Sequence, residues 1–239
     1  MVNKARKAER ERGSKGARER GANSIHSISF ADYLAQFQSA LEKVLSDFNI
    51  TSIKENQLAQ LVKHYELMLR WNQRTNLTRI IEPVDAARLH YGESLFGAQF
   101  VGQAKTLLDI GSGAGFPGLP LAVALPEVEV TALEANQKKS LFLYEVKDAL
   151  SLANFKIAGS RVEAFDLSTF ERLTSRALDR ADEMMPQVLK RMRAEQKLML
   201  YCAPDMVDHL KKQTAEKLVI ETHAIPQSDS RLIAIFSHI

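Results

Sequence analysis

The sequence predicts an α/β fold in which a mostly parallel, seven-stranded sheet carries helices on both faces. From residue 102 onward, short apolar stretches typical of buried strands alternate with segments of helical periodicity, a pattern that indicates a parallel sheet. A glycine-rich turn at 111–118 lies between the first predicted strand and the helix after it. The last two strands are joined by a short polar turn, which predicts an antiparallel hairpin at the end of the sheet.

The chain divides into three regions: a basic tail at 1–28, a predicted N-terminal helical cap at 29–101 and the predicted α/β domain at 102–239. Residues 1–23 contain eight Lys or Arg and three Glu, a net charge of +5 against +3 for the whole chain, so the remainder carries −2. Because the tail has no apolar face, we expect it to be disordered. It either contacts the phosphates of a polyanion or only keeps the protein in solution.

Two capping patterns predict the first helices of the cap. Ser29 with Asp32 predicts the start of one amphipathic helix, and Ser52 with Glu55 forms a capping box that predicts the start of a second. Both segments carry apolar residues at helical spacing, which we expect to lie in the core. We interpret His64 as a solvent-exposed residue on the polar face of the second helix.

Pro83 is expected to start a further short helix, which carries His90 and Glu93. Seven strands are predicted after it, at 105–110, 128–134, 154–158, 172–176, 196–201, 217–224 and 231–236. Helices are predicted between them, notably at 137–152 and 182–193. In a sheet of this kind a ligand binds outside the carboxyl ends of the strands, where the turn after the first strand also lies.

The turn from Asp109 to Gly118 is the strongest indication of a ligand. Its glycines fit G-x-G-x-x-G, the pattern that binds the pyrophosphate of a dinucleotide. Asp109 argues against that ligand because its charge would repel phosphate, and Pro117 lacks the N–H group that an anion needs. Both features suit S-adenosylmethionine, which carries a sulfonium and an ammonium group and no phosphate. A plain glycine-rich turn is the alternative interpretation.

Glu134 ends the second predicted strand, about twenty residues after the glycines. A carboxylate there can accept hydrogen bonds from both ribose hydroxyls of an adenosine cofactor, whether NAD or S-adenosylmethionine. An ordinary solvated strand end is the alternative. Asp109 is therefore the residue that discriminates between the two cofactors, and it favours a methyltransferase.

Composition predicts a soluble, cytoplasmic protein without membrane contact. Apolar residues make up 45% of the chain, and no stretch approaches the roughly 18 consecutive apolar residues of a membrane span. The charged N-terminus is not followed by the apolar segment of a signal peptide. Cys202 is the only cysteine, which excludes an internal disulfide and fits a reducing compartment.

Several motifs together resemble one family, the small-subunit rRNA methyltransferase G family, also called glucose-inhibited division protein B. The resemblance covers residues 54–236, and the seven strands with a terminal hairpin agree with it. The motifs are Leu67-Met68-Leu69-Arg70-Trp71-Asn72 with Asn76-Leu77-Thr78, His90-x-x-Glu93-Ser94-Leu95, Leu108 to Gly118, Ser160-Arg161-Val162-Glu163, and Thr174-Ser175-Arg176-Ala177.

The resemblance implies a class I S-adenosylmethionine-dependent methyltransferase with a Rossmann-like sheet. It further implies methylation of N7 of a guanine in the 530 loop of 16S rRNA, at position 527 in the usual rRNA numbering, with 16S rRNA, the 30S subunit or its precursor as partner. Gly111 and Phe116 would line the methionine and ribose part of the cofactor site, and Val162 and Glu163 would meet the adenine. The expected cofactor residues are Asp109, Gly111, Gly113, Phe116, Glu134, Val162, Glu163 and Arg176.

Arg176 and His90 are the expected substrate-binding residues, with Arg176 at the mouth between cofactor and RNA. A guanidinium suits a phosphate or a base edge. N7 of guanine carries a free lone pair and can attack the sulfonium methyl without losing a proton, so we expect no general base and no metal. Catalysis would then depend on positioning and electrostatics. Nothing in the sequence requires more than a monomer.

Other methyl acceptors are weighed against this expectation. Exocyclic amino methylation usually uses an Asn/Asp-Pro-Pro-aromatic turn, whereas this chain has Ser175-Arg176-Ala177-Leu178. Pyrimidine C5 methylation needs a cysteine nucleophile, but Cys202 is interpreted as a structural thiol. The chain departs from the family pattern at Leu89, at Glu93 and at 201–205. A diverged paralogue that methylates another RNA or a small molecule, or an inactive RNA-binding relative, is the alternative.

Overall fold

The structure is a computed structural model that describes residues 29–176, 181–214 and 218–239. The tail predicted at 1–28 lies outside these ranges, as do Ala177 and Leu178. Two compact units, Met1–Asp32 and Tyr33–Ile239, divide the chain. Within the first, the Asp32 N–H donates to Ser29 Oγ (3.1 Å) and the Ser29 hydroxyl donates to Asp32 (2.7 Å). The capping pair predicted at this helix start is confirmed.

Helix α1 comprises Phe30–Asp47, and helix α2 comprises Glu55–Asn72. The capping box predicted for α2 is wrong, because the residue that caps this helix is Lys54 and not Ser52. The Lys54 N–H donates to the side chain of Gln57 (2.8 Å), whose amide group donates in turn to the Val123 carbonyl (2.6 Å). One glutamine therefore satisfies both the helix start and a buried carbonyl.

The chain continues in a helical segment with four consecutive parts, which we call segment 83–100. Pro83–Asp85 is α-helical, Ala86–Gly92 is π-helical, Glu93–Phe96 is α-helical and Gly97–Phe100 is a 3-10 helix. The short helix predicted after Pro83 is therefore confirmed. Single π-helical turns occur frequently at functional sites, and this one contains His90.

Seven strands form one sheet within the described ranges. They are β1 Thr106–Ile110, β2 Glu129–Leu133, β3 Phe155–Ala158, β4 Arg172–Arg176, β5 Lys197–Cys202, β6 Leu218–Ala224 and β7 Leu232–His238. Their order is β3-β2-β1-β4-β5-β7-β6, and β7 alone runs antiparallel to the other six strands. The predicted mostly parallel sheet with a terminal hairpin is confirmed. Strand order reverses between β1 and β4, so a ligand crevice is expected at their carboxyl ends.

Four further helices accompany the strands: α3 Gly118–Ala124, α4 Gln137–Leu150, α5 Ala181–Arg191 and α6 Pro204–Gln213. The predicted bounds of α4 and α5 agree with these within two residues. None of the helices in the described ranges has both the length and the apolar character to cross a membrane.

Two hydrophobic cores cover the two faces of the sheet. In β1, Leu107 belongs to the first core and Leu108 to the second, because successive side chains of a strand point to opposite faces. The first core includes Phe37 of α1 and Leu61 of α2, and the second includes Met185 of α5. Helices α1 and α2 therefore share one core with the sheet, which places α2 against the ligand crevice.

Candidate functional site

A cavity of about 320 Å³ lies at the carboxyl ends of β1, β2 and β4, where the strand order reverses. We call it the first cavity. Seven of the eight predicted cofactor residues line it, namely Gly111, Gly113, Phe116, Glu134, Val162, Glu163 and Arg176. His90, predicted to bind substrate, lines it as well. The fold thus brings together residues that are spread over almost ninety positions of the sequence.

Six backbone N–H groups of the glycine turn donate hydrogen bonds to acceptors within the protein. Gly111 and Ser112 donate to the Leu133 carbonyl, and Gly115 and Phe116 donate to the Ser112 carbonyl. The remaining two bonds go to carboxylates: the Gly113 N–H donates to Glu134, and the Gly118 N–H donates to Asp109. Position 117 is a proline and has no N–H to offer. The turn therefore lacks the row of free N–H groups with which a dinucleotide fold holds pyrophosphate.

Gly113 and Gly118 show why the turn needs glycines. Gly113 has a φ of +59°, a left-handed conformation that favours glycine. A side chain at Gly118 would place its Cβ 2.6 Å from Asp109 Oδ2, closer than any real contact allows. The backbone of the turn can therefore approach Asp109 only because position 118 carries no side chain.

Asp109 lies behind the turn and does not line the cavity. Its side chain is fully buried, and its Oδ2 accepts hydrogen bonds from the Ser112 hydroxyl (2.6 Å) and the Gly118 N–H (2.9 Å). Burial raises the pKa of Asp109 to about 6, and the two hydrogen bonds oppose that shift. The sequence assigned Asp109 to cofactor contact; the structure instead places it where it closes the turn.

Glu134 lies between the glycine turn and the start of α4. One of its oxygens accepts from the Gly113 N–H (2.9 Å), and the other accepts from the Asn136 N–H (2.7 Å). Asn136 in turn caps α4 by accepting from two backbone N–H groups. Each carboxylate oxygen keeps a further lone pair, so Glu134 can still accept hydrogen bonds from a ligand in the cavity.

Val162 and Glu163 lie in a 3-10 turn, Val162–Ala164, that follows β3. Val162 is buried, whereas Glu163 is exposed at the rim. Arg191 of α5 donates to the Val162 carbonyl (2.6 Å), which ties the turn to a helix on the same face of the sheet. An apolar wall with a polar rim suits a planar, partly polar group such as a purine.

A chain of hydrogen bonds joins Arg176, His90 and Thr78 across the mouth of the cavity. Arg176 Nη2 lies 2.6 Å from His90 Nδ1, and His90 Nε2 lies 2.9 Å from Thr78 Oγ1. Burial, together with the charge of Arg176, lowers the pKa of His90 to about 2, so the ring is neutral. Since arginine can only donate, His90 accepts at Nδ1 and donates from Nε2 to Thr78.

Thr78 is left with a proton that no described residue accepts. Its oxygen already accepts from His90 and from the Ile80 N–H (3.1 Å), and its side chain lines the cavity. Asn72 holds this residue in place through its side chain, which accepts from the Thr78 N–H (3.0 Å) and donates to the Thr78 carbonyl (2.9 Å). The motif that joins Asn72 with Asn76-Leu77-Thr78 therefore positions a hydroxyl donor at the site, a role that sequence reasoning missed.

The guanidinium of Arg176 is almost fully buried. It donates to the Leu89 carbonyl (2.5 Å), lies 5.1 Å from the centre of the Phe116 ring and pairs with Glu93 at 3.7 Å. Burial lowers the pKa of Arg176, and the charge of Glu93 opposes that shift. At position 89, where the chain departs from the family pattern, only the backbone carbonyl contacts Arg176.

Glu93 connects two arginines. Its second oxygen lies 3.1 Å from Arg231 at the start of β7, while its side chain is only 1% exposed. Burial raises the pKa of Glu93, and the charges of Arg176 and Arg231 oppose that shift. Arg231 was not identified from the sequence, because its partner lies 138 positions earlier in the chain.

His64 is buried and not solvent-exposed, so that prediction is wrong. Its Nε2–H donates to the Ala114 carbonyl of the glycine turn (3.0 Å), and its Nδ1 accepts from the Tyr91 hydroxyl (2.9 Å). Burial lowers the pKa of His64 to about 3. Positions 61, 64, 65 and 68 form one helical stripe, so the spacing did contain the signal for burial.

Burial and the nearby charge of Asp205 raise the pKa of Cys202 to about 12, which keeps it a thiol at neutral pH. In the part of the chain that the structure describes, no group of three or more His, Cys, Asp or Glu side chains could hold a metal ion.

Comparisons with known proteins identify the family of this chain. The family of rRNA small subunit methyltransferase G matches residues 56–229. A ribosomal RNA small subunit methyltransferase G of Solibacter usitatus is 33% identical over 180 residues, which cover 72% of this chain and 85% of that protein.

Among solved structures, a ribosomal protein L11 methylase of Lactobacillus delbrueckii subsp. bulgaricus has a TM-score of 0.50 at 12% identity, covering 63% of this chain and 78% of that chain. A mutant of MtNAS has a TM-score of 0.53 at 14% identity, covering 98% and 96%. These likenesses confirm the class I methyltransferase fold. Because the family match extends over most of the sequence, the chain belongs to the rRNA small subunit methyltransferase G family.

Proposed function

We propose that this protein transfers a methyl group from S-adenosylmethionine to N7 of a guanine in the 530 loop of 16S rRNA, position 527 in the usual numbering. The substrate in this proposal is 16S rRNA within the 30S subunit or its precursor, so the protein would act in the cytoplasm. Membership of the family supports methyl transfer to small-subunit rRNA. The glycine turn favours S-adenosylmethionine over a dinucleotide as the cofactor. Six of its N–H groups donate hydrogen bonds within the protein and are not available to bind a pyrophosphate.

The residues of the first cavity fit the parts of S-adenosylmethionine. Glu134 accepts the two ribose hydroxyls, for which its oxygens keep free lone pairs. Val162 forms the apolar wall for the adenine, and Glu163 lies at its rim. Gly111 and Phe116 border the methionine part, and Asp109 positions the turn from behind without touching the cofactor.

When bound, S-adenosylmethionine supplies a methyl group on a positively charged sulfur. The N7 lone pair would form a bond to that methyl carbon as the carbon–sulfur bond breaks and leaves its electron pair on sulfur. No proton leaves the purine, so the reaction needs no general base. His90 is not available as one, because its Nδ1 accepts from Arg176 and its Nε2–H donates to Thr78. The protein contributes alignment and electrostatics.

His90 and Arg176 have different roles in this proposal: Arg176 contacts the RNA, and His90 positions other side chains. Arg176 uses two of its N–H donors on Leu89 and His90 within the described residues, so others remain for a phosphate or a base edge. His90 acts as a positioning residue that fixes the direction of both the guanidinium and the Thr78 hydroxyl. The basic residues at 1–23 add attraction to RNA phosphates without reading its sequence.

A methyl-transfer assay tests the proposal. Purified protein is incubated with methyl-labelled S-adenosylmethionine and 30S subunits that lack the modification, and the rRNA is then digested to nucleosides. We expect the label in N7-methylguanosine. Absence of label despite calorimetric binding of S-adenosylmethionine would overturn the proposed acceptor. Absence of binding would identify an inactive relative that keeps only the fold.

A further inference from the structure

A second cavity of about 260 Å³ opens beside the first. It lies at the carboxyl ends of β4 and β5, where Arg176, the last residue of β4, pairs in register with Tyr201 of β5. Arg176 lines both cavities, so ligands in the two would meet at its guanidinium. None of the cofactor residues other than Arg176 belongs to the second cavity.

The walls of the second cavity are mostly apolar. Leu200 and Cys202 of β5 line the cavity together with Ala203, which follows the strand, and with Ala181 of α5 and Met206 of α6. The Cys202 thiol is neutral at physiological pH, so it adds no charge to this wall. Such a slot suits a flat aromatic ring, whose faces are apolar and whose hydrogen-bonding groups lie along its edges.

Among the described residues, three charged side chains line the second cavity: Arg176, Arg231 and Asp205. Glu93 holds the first two, at 3.7 Å from Arg176 and 3.1 Å from Arg231. Asp205 accepts one hydrogen bond at Oδ1, from the Met206 N–H (2.9 Å), and no described residue donates to its Oδ2. Asp205 therefore presents a carboxylate oxygen that is free to accept from a ligand.

The edges of guanine match this arrangement. N7 lies on one side of the purine, and the N1–H and the N2 amino group lie on the opposite side. A guanine whose N7 points past Arg176 toward the first cavity must turn its N1–H and N2 amino group toward residues that line only the second. Asp205 is the one acidic residue among the described residues that line it.

We propose that the second cavity holds the acceptor guanine and that the Asp205 carboxylate accepts hydrogen bonds from its N1–H and N2 amino group. This inference rests on the proposed function, and it adds how the protein distinguishes guanine from adenine. Adenine has a lone pair at N1 where guanine has N–H, so an acceptor would face the carboxylate and no hydrogen bond could form between them. Arg231 lies where it can pair with a phosphate of the same RNA strand.

Asp205 also affects the chemical step. Methyl transfer to N7 leaves a positive charge on the purine, which makes the N1–H a stronger donor. The hydrogen bond from N1–H to the carboxylate therefore strengthens as the new bond forms, and an interaction that strengthens in the transition state raises kcat. The departure from the family pattern at 201–205 thus supplies an acid at the base-binding cavity.

The test compares guanosine with inosine at the acceptor position. Inosine keeps N7, O6 and N1–H and lacks only the N2 amino group. The substrates are 30S particles assembled on 16S rRNA that carries one nucleoside or the other, and kcat and KM are measured with wild-type protein and Asp205→Ala. The matched control is Asp208→Ala on the same helix, whose carboxylate is exposed and outside the cavity.

Wild-type protein and Asp208→Ala should prefer guanosine about tenfold or more, the effect of one hydrogen bond to a charged group. Asp205→Ala should reduce that preference to about twofold or less and should lower kcat on guanosine about tenfold to a hundredfold. Calorimetric binding of S-adenosylmethionine should not change.

An unaltered preference and kcat in Asp205→Ala, with active wild-type protein, would overturn this inference and leave the proposed function in place. Loss of S-adenosylmethionine binding in Asp205→Ala would also overturn it, because the residue would then support the cofactor site. A wild-type protein that methylates neither particle would refute the proposed function itself.

Discussion

At the scale of single residues, one neutral histidine sets the direction of the hydrogen bonds at the site. His90 accepts from Arg176 and donates to Thr78, and burial keeps its pKa near 2. Because the ring stays neutral at every physiological pH, neither bond reverses. The Thr78 hydroxyl therefore keeps its own proton for donation, and the side chain lines the first cavity.

Replacing Thr78 with valine tests this role. Valine keeps the shape of threonine and removes the hydroxyl, so we expect kcat/KM for methyl transfer to fall about twofold to tenfold, the effect of one neutral hydrogen bond. Steady-state kinetics on 30S subunits measure the change. Thr51→Val, at an exposed position ahead of α2, is the control and should behave as wild type. Unchanged kinetics in Thr78→Val would show that its proton contacts no ligand.

His64 makes the stability of the fold depend on pH. Its pKa in the folded protein is about 3, well below the value of about 6.5 expected in the unfolded chain. The folded state therefore binds fewer protons below about pH 6.5, and the stabilisation from the neutral ring is lost as pH falls. Between about pH 4 and 6 the raised pKa of Asp109 acts in the opposite direction.

The variant His64→Gln isolates this contribution. We expect it to reduce the slope of the unfolding free energy against pH by about 1.4 kcal/mol per pH unit below pH 6.5. Urea unfolding between about pH 5 and 6.5 measures both slopes. Tyr91→Phe removes the hydroxyl partner and keeps the buried imidazole, so its slope should match wild type. Equal slopes in His64→Gln and wild type would contradict the assigned protonation state.

At the scale of elements, the glycine turn depends on three neighbours for its shape. Asp109 at the end of β1 and Glu134 after β2 accept its N–H groups, and His64 of α2 donates to its Ala114 carbonyl. Helix α2 therefore supports the cofactor site directly, although it lies in the region that the sequence predicts as a separate cap.

Adding a methyl group at Gly118 should open this turn. In Gly118→Ala the new Cβ would lie 2.6 Å from the buried Asp109 carboxylate, a clash that costs about 1–3 kcal/mol of stability and displaces the turn. We expect calorimetric binding of S-adenosylmethionine to weaken at least about tenfold. Gly159→Ala is the matched control, because no atom lies within 4 Å of its added Cβ. Equal affinity of the two variants for S-adenosylmethionine would contradict the close approach of Gly118 to Asp109.

The sequence predicts elements well where local spacing decides them. The bounds of α4 and α5 follow from periodicity, but the start of α2 does not, because the contact of Gln57 with Val123 decides it. The glycines and Glu134 could be assigned to the site because their spacing is characteristic. The contacts of Arg176 with His90, 86 positions earlier, appear only once the chain is folded.

At the scale of the whole molecule, charge is concentrated at one end of the chain. Residues 1–23 carry +5 while the remainder carries −2, and an RNA substrate requires attraction to phosphates. Deletion of residues 1–23 should weaken binding to 30S subunits and flatten the dependence of log K on log salt concentration. Filter binding at several salt concentrations measures the slope. An unchanged slope would leave these residues without a role in RNA contact.

We propose that this protein methylates N7 of a guanine in the 530 loop of small-subunit rRNA. Mapping of N7-methylguanine in 16S rRNA from cells with and without the protein tests it most directly, because the readout identifies both the atom and the position. We predict that the modification is present at position 527 when the protein is present and absent when it is removed. A 530 loop that is the same in both cells would contradict the claim.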